Sequence, residues 1–132
     1  MIVDSSALIA IVKKEPDWRS YAERLNMASH SEISAATYVE VSVVLERLRD
    51  PTLNHDIDDL IDRFNIRMEP VTVEQALIAR QAYRDYGRGS GHAANLNFGD
   101  CFSYALARVK REPILFKGDD FGHTDLRAAV AQ

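Results

Sequence analysis

Short apolar runs and amphipathic helical periods take turns along this chain, and that order leaves few folds open. Met1-Ile2-Val3, Ser31–Ser34 around Ile33, Ile66–Val71 and Pro113–Phe116 read as short strands. Between and after them come four apolar stripes: Trp18, Tyr21, Ala22, Leu25; Val41, Val44, Leu45, Leu48; Ile57, Leu60, Ile61, Phe64; and Phe102, Ala105, Leu106, Val109. Each follows the i, i+3, i+4, i+7 spacing that gathers side chains on one helix face. Strands alternating with helices imply a parallel sheet covered on both sides, a three-layer α/β/α domain with four to five short central strands. A chain of 132 residues fits a single domain, 1–132, able to bury about two thirds of its unfolded surface.

Local signals set expected boundaries. Pro16 breaks the chain after a first short helix, and Asp17 is placed to cap the second. A third helix is expected from about Ala35 to Arg49, stopped by Asp50-Pro51, with a fourth from about Asn54 to Phe64. Thr72 caps a helix reaching Tyr86, and the glycine-rich stretch from Tyr86 to His92 reads as a mobile loop. Asn97-Phe98-Gly99 leads into a helix from Asp100 to Arg111. Arg80, Arg84 and Arg88 recur every four residues, either as a phosphate-binding stripe or as a solvated face.

Composition excludes several classes. The single Cys101 rules out an internal disulfide scaffold and permits a reducing cytoplasm. There is no basic leader, and no window approaches the ~18 apolar residues of a membrane span, so a cytoplasmic protein with no membrane partner is expected. The net charge of −4 argues mildly against a nucleic-acid partner, unless some acids are neutralised by a cation.

Four acids stand out. Asp4 ends the first strand, and Glu40, Asp100 and Asp120 each lie near a strand-like stretch or at a helix start. Each has an ordinary explanation: Asp4 as an N-cap, Glu40 in a capping box with Thr37, Asp100 capped through Asn97, Asp120 in a turn. In a parallel α/β sheet, however, strand-to-helix junctions share one end, where such folds place their sites. Carboxylates crowded there require protonation or a cation, and hard oxygen donors select Mg²⁺ or Mn²⁺. Ser6 and Asn97 lie beside two of these acids as candidate partners of a bound water, or as caps.

Other chemistries lack their motifs. No Walker loop, dinucleotide fingerprint or G-x-S-x-G elbow is present. His30, His55, His92 and His123 show no zinc spacing, although His92 in the glycine stretch is a candidate substrate contact. Cys101 reads as a small buried filler. An aspartyl-phosphate phosphatase would want an acid two residues after Asp4, where Ser6 stands.

The chain resembles the PIN-domain ribonucleases, and within them the VapC toxins of toxin–antitoxin pairs. Met1-Ile2-Val3-Asp4-Ser5-Ser6-Ala7, Ala36-Thr37-Tyr38-Val39-Glu40, Leu96 through Ala105, and Ile114 through Phe121 followed by Thr124-Asp125-Leu126 carry the likeness in order along the whole chain. The resemblance implies a Mg²⁺- or Mn²⁺-dependent endoribonuclease that cleaves RNA with metal-activated water. It also implies a homodimer, held inactive in a hetero-oligomer by a cognate VapB-type antitoxin. It maps metal ligation onto Asp4 and Asp100, with Glu40 as third acid. Family members often carry the fourth acid two residues before the Asp-Phe pair, where this chain has Gly118; Asp120 is the expected fourth acid and Asp119 its alternative. The competing expectation is a PIN fold without catalysis that serves only as a protein-binding module.

Overall fold

The computed structural model describes residues 1–129; residues 130–132, the end of the expected domain, lie outside them. The strands are β1 (Ile2–Val3), β2 (Ser31–Ser34), β3 (Ile66–Glu69) and β4 (Ile114–Leu115). They form one parallel sheet in the order β3-β2-β1-β4. An isolated parallel bridge between Ile114 and Ala128 adds the beginning of a fifth strand beside β4. The helices are α1 (Ser5–Val12), α2 (Trp18–Met27), α3 (Ala35–Arg47), α4 (Pro51–Arg63), α5 (Val73–Tyr86) and α6 (Asp100–Lys110), with a 3₁₀ turn at Asp120–His123.

Alternation along the central strands divides the core. Val3 and Leu115 face a cluster with Leu8, Ile11, Leu25, Val41, Leu45 and Ile57, from α1 to α4. Ile2 and Ile114 face the opposite cluster with Ala79, Ala82, Leu106 and Phe116, under α5 and α6. Successive strand side chains point to opposite faces, so two-residue strands suffice to join both layers. All four of these central strand residues are fully buried, as expected for a parallel sheet covered on both sides.

Several local expectations need correction. Asp17 makes no capping bond; its carboxylate instead accepts from Tyr21 Oη and Lys117 Nζ. Asp50-Pro51 ends α3 and also starts α4, with Asp50 capping Thr52 N and Pro51 in the first turn, where its missing N–H costs nothing. Leu48 follows the end of α3 and is 47% exposed, so the apolar stripe stops at Leu45. The glycine stretch after α5 is fastened: Arg88 N donates to Leu96 O, Leu96 N to Tyr86 O, and Ser90 Oγ to Gly87 O.

Candidate active site

Asp4 leaves β1 in extended conformation and becomes the N-cap of α1, as its position after an apolar strand suggested. One carboxylate oxygen, Oδ2, accepts from Ser6 N at 3.1 Å and Ser6 Oγ at 2.7 Å; the other, Oδ1, accepts from Ser103 Oγ at 2.6 Å. Ser6 Oγ in turn accepts from Lys117 N, which ties the end of β4 to the end of β1. Thr37 Oγ1 lies 3.1 Å from Ser103 Oγ. Since Ser103 donates to Asp4, Thr37 completes the relay by donating to Ser103. Asp4, Thr37 and Ser103 are all buried.

Glu40 is not in a capping box. The N-cap of α3 is Ser34, which accepts from Ala36 N, so Glu40 sits in the second turn and is free to lean toward the sheet edge. Its Oε1 is buried with no hydrogen-bond partner. Burial raises the Glu40 carboxyl above its ordinary range, and the nearby Asp4 charge raises it further, against a weaker contribution from Ser5.

Asp100 opens α6. Asn97 N donates to its Oδ2 at 3.0 Å, and its own N–H donates to Asn97 Oδ1 at 2.9 Å, the reciprocal cap that the three-residue spacing suggested. No strand immediately precedes it. It reaches the site because α6 runs back toward the start of β4, antiparallel to the sheet, which leaves the helix N-terminus at the strands' C-terminal edge. Asp100 is 8% exposed. Burial pushes its carboxyl up to about 7; the Asn97 N–H opposes this, and the charges of Asp4, Asp120 and Glu40 add to it.

Asp120 begins the 3₁₀ turn, half-buried, and is one of the charges felt by Asp100. Asp119 is exposed, and Gly118 holds a positive φ of 102° in the turn before it. The fold thus brings the other three expected acids, Asp4, Glu40 and Asp120, within electrostatic reach of Asp100. It does not converge them fully: among the described residues, no three His, Cys, Asp or Glu side chains stand close enough to form a ready-made coordination sphere. None of the four acids makes an ion pair among the described residues. All the donors are oxygens, one of them orphaned and buried, so the site fits a hard divalent cation that keeps several waters.

The remaining candidates fall outside the acid group. Cys101 is buried against Asn97 O, and burial, with the Asp100 charge adding, pushes its thiol up to about 11, so it is no nucleophile. His92 is exposed and packs its ring edgewise on Tyr86. Arg80, Arg84 and Arg88 are exposed. Three participants escaped the sequence reading: Ser103, Gly99 and, as a buried hydrogen-bonding group, Thr37. Ser103 lies three residues after Asp100 and Thr37 three before Glu40, so helical spacing from each acid was the available signal.

Comparison with known proteins places the chain in a class. The PIN domain family model matches residues 1–126. Two proteins of Mycobacterium tuberculosis are similar over 98% of both chains: Ribonuclease VapC28, 53% identical over 130 residues, and Ribonuclease VapC42, 50% identical over 129. The chain belongs to the PIN-domain family, in its VapC ribonuclease branch. Among solved structures, Mycobacterium tuberculosis VapC20, described as a Sarcin-Ricin loop cleaving toxin, superposes with a TM-score of 0.75 at 18% identity, covering 95% of each chain. A toxin–antitoxin complex from Klebsiella pneumoniae gives 0.67 at 16% identity, covering 91% of this chain and 88% of the other. These two likenesses establish the shared fold.

Proposed function

We propose that this protein is the toxic endoribonuclease of a VapBC-type toxin–antitoxin pair, acting as one domain with Mg²⁺ or Mn²⁺ bound among Asp4, Glu40, Asp100 and Asp120. The observation that carries the metal reading is the burial of these acids near one another with no cation beside them among the described residues: burial, with the neighbouring charges adding, raises Asp100 to about 7, and Glu40 Oε1 is unpartnered. The ribonuclease activity rests on relatives of that name at 50 to 53% identity over nearly the whole chain.

When bound, the cation supplies a more acidic water and neutralises charge on the scissile phosphate. The chain's own groups set the stage. Asp4 accepts two donors on Oδ2 and Ser103 on Oδ1, so it enters the site in a fixed rotamer. Asp100, oriented by Asn97, offers its second oxygen to the ion. Glu40 serves as a further ligand or takes the proton of the attacking water at its free Oε1, and Asp120 completes the rim.

The partners follow from the same surface. An acidic pocket attracts an Arg or Lys from an antitoxin peptide, which would compete with the metal by charge. Val73 and Leu77, at i and i+4 on α5, are 80% and 64% exposed and favour a second copy against that face. No helix among the described residues is long and apolar enough to cross a membrane, and the proposed place of action is the cytoplasm, with its RNA.

The test is cleavage of structured RNA by the purified protein with Mg²⁺, with and without EDTA, beside Asp4→Asn and Asp100→Asn. Full activity in either variant overturns the assignment. One observation favours the rival reading of a binding module without catalysis: among the described residues, no three acids stand at coordinating spacing. Calorimetric titration separates the two, because a module without catalysis binds Mn²⁺ weakly or not at all. Harmless expression without an antitoxin would remove the toxin half of the proposal and leave the nuclease half standing.

A further inference from the structure

Gly99 precedes Asp100 in the backbone, and its carbonyl accepts from Phe102 N as at any helix start, which does not mark it out. Its importance comes from what lies over it. A β-carbon placed on Gly99 would stand 1.6 Å from Glu40 Oε2, 2.4 Å from Glu40 Cδ and 2.9 Å from Glu40 Oε1. The three nearest atoms all belong to one carboxylate. Glu40 therefore rests directly on the bare α-carbon of the residue before Asp100, joining α3 to the start of α6.

The backbone gives no other reason for glycine there. Gly99 has φ −64° and ψ −38°, an ordinary right-handed helical conformation that alanine adopts more readily than glycine. In that conformation Gly-to-Ala exchange normally stabilises, by limiting the unfolded chain. The obstacle is instead the far end of a flexible side chain, which yields by rotating away. A methyl group at Gly99 would thus leave the fold intact and move the Glu40 carboxylate.

We infer that Gly99 is a positioning residue for Glu40: its missing side chain is the seat that holds the third acid beside Asp100. The inference rests on the reading that these acids hold a divalent cation. It concerns the placement of a ligand group, so it is measurable by metal binding as well as by cleavage.

The experiment compares the wild type with Gly99→Ala, Glu40→Ala and the double variant in the full chain. Each is read by Mn²⁺ titration (calorimetry or electron paramagnetic resonance), thermal melting and RNA cleavage. Gly99→Ala is expected to melt at or above the wild-type temperature while Mn²⁺ affinity and cleavage fall about 10- to 100-fold. Glu40→Ala is expected to show a comparable loss, with Gly99→Ala adding nothing to it, because the carboxylate it displaces is already gone. Wild-type Mn²⁺ affinity in Gly99→Ala overturns the inference, as do losses that multiply in the double variant. If Gly99→Ala lowers the melting temperature, the loss must vanish in the Glu40→Ala background; a loss that persists there overturns it too. Unchanged Mn²⁺ binding in Glu40→Ala would defeat the metal reading itself, and the inference with it.

Discussion

Two groups of acids border the sheet, and the fold treats them in opposite ways. In one, Glu32 of β2 and Glu69, the last residue of β3, share Lys110, at 3.2 and 3.6 Å. Burial works to raise Glu32, but hydrogen bonding with Glu69 and the Lys110 ammonium outweigh it, and its carboxyl sits below the ordinary range. Glu112 likewise meets His30 at 2.9 Å and falls below its ordinary range, these contacts with the terminal ammonium outweighing burial. In the other, Asp4, Glu40, Asp100 and Asp120 have no such cation among the described residues, and burial pushes Glu40 and Asp100 upward. An acid cluster is structural where the chain supplies its counter-charge. Where the chain withholds it, the buried carboxyls stand above their ordinary range, which is the opening the proposed cation would fill.

This contrast breaks most sharply at Asp100. Asp100→Asn should reduce Mg²⁺-dependent cleavage by about 100-fold or more, since it removes a donor of the cation that stabilises the reaction. At pH 8 the same substitution should raise the melting temperature of the metal-free protein, because it relieves repulsion. Cleavage assays and calorimetric melting on one preparation check both.

The next effect is on pH. Asp100 has a folded value of about 7, above its ordinary 3.8. The stability linked to its protonated form is complete below about 4 and is lost as pH rises through 7. Metal-free protein should therefore lose stability between pH 5 and 8, by about 2–4 kcal/mol from this group. Added Mn²⁺ should restore stability, and more so at pH 8 than at pH 5.5. A flat profile in metal-free protein would mean the acids do not crowd in solution.

Ser103→Ala removes the donor to Asp4 Oδ1 and should cost roughly 1.5–3 kcal/mol, as for hydrogen bonds to charged groups. Denaturant unfolding measures the cost, and Mn²⁺ affinity should fall with it as Asp4 loses its fixed orientation. The smallest effect belongs to the paired group. Lys110→Met should cost about 1 kcal/mol or less, because its head group is 35% exposed and such pairs are screened. Cleavage should be unchanged. A large loss of cleavage in Lys110→Met would erase the distinction between the two groups.

Much of this was written in the local sequence. Strand-to-acid junctions at Asp4, the Asn97–Asp100 spacing and the Thr72 cap all appear as read, because each depends on backbone groups only a few residues away. Asp17 and the capping box suggested for Glu40 came out differently, for separate reasons. Asp17 is held by Lys117, 100 residues away, while the cap of α3 went to the still nearer Ser34, leaving Glu40 uncommitted. The glycine stretch was misjudged because its fastening residue, Leu96, lies outside it.

The sequence by itself determined the layers, the parallel sheet and the four acids, since periodicity and junction chemistry are local and repeat along the chain. Only the tertiary structure decided what surrounds those acids: Ser103 reaching Asp4 across 99 residues, the contact of Glu40 with Gly99, and, among the described residues, the absence of any ion pair with them. The reason is that charge compensation and close contact are set by distances in space. A helix that runs back along the sheet brings Asp100 to Asp4 even though no strand leads into it.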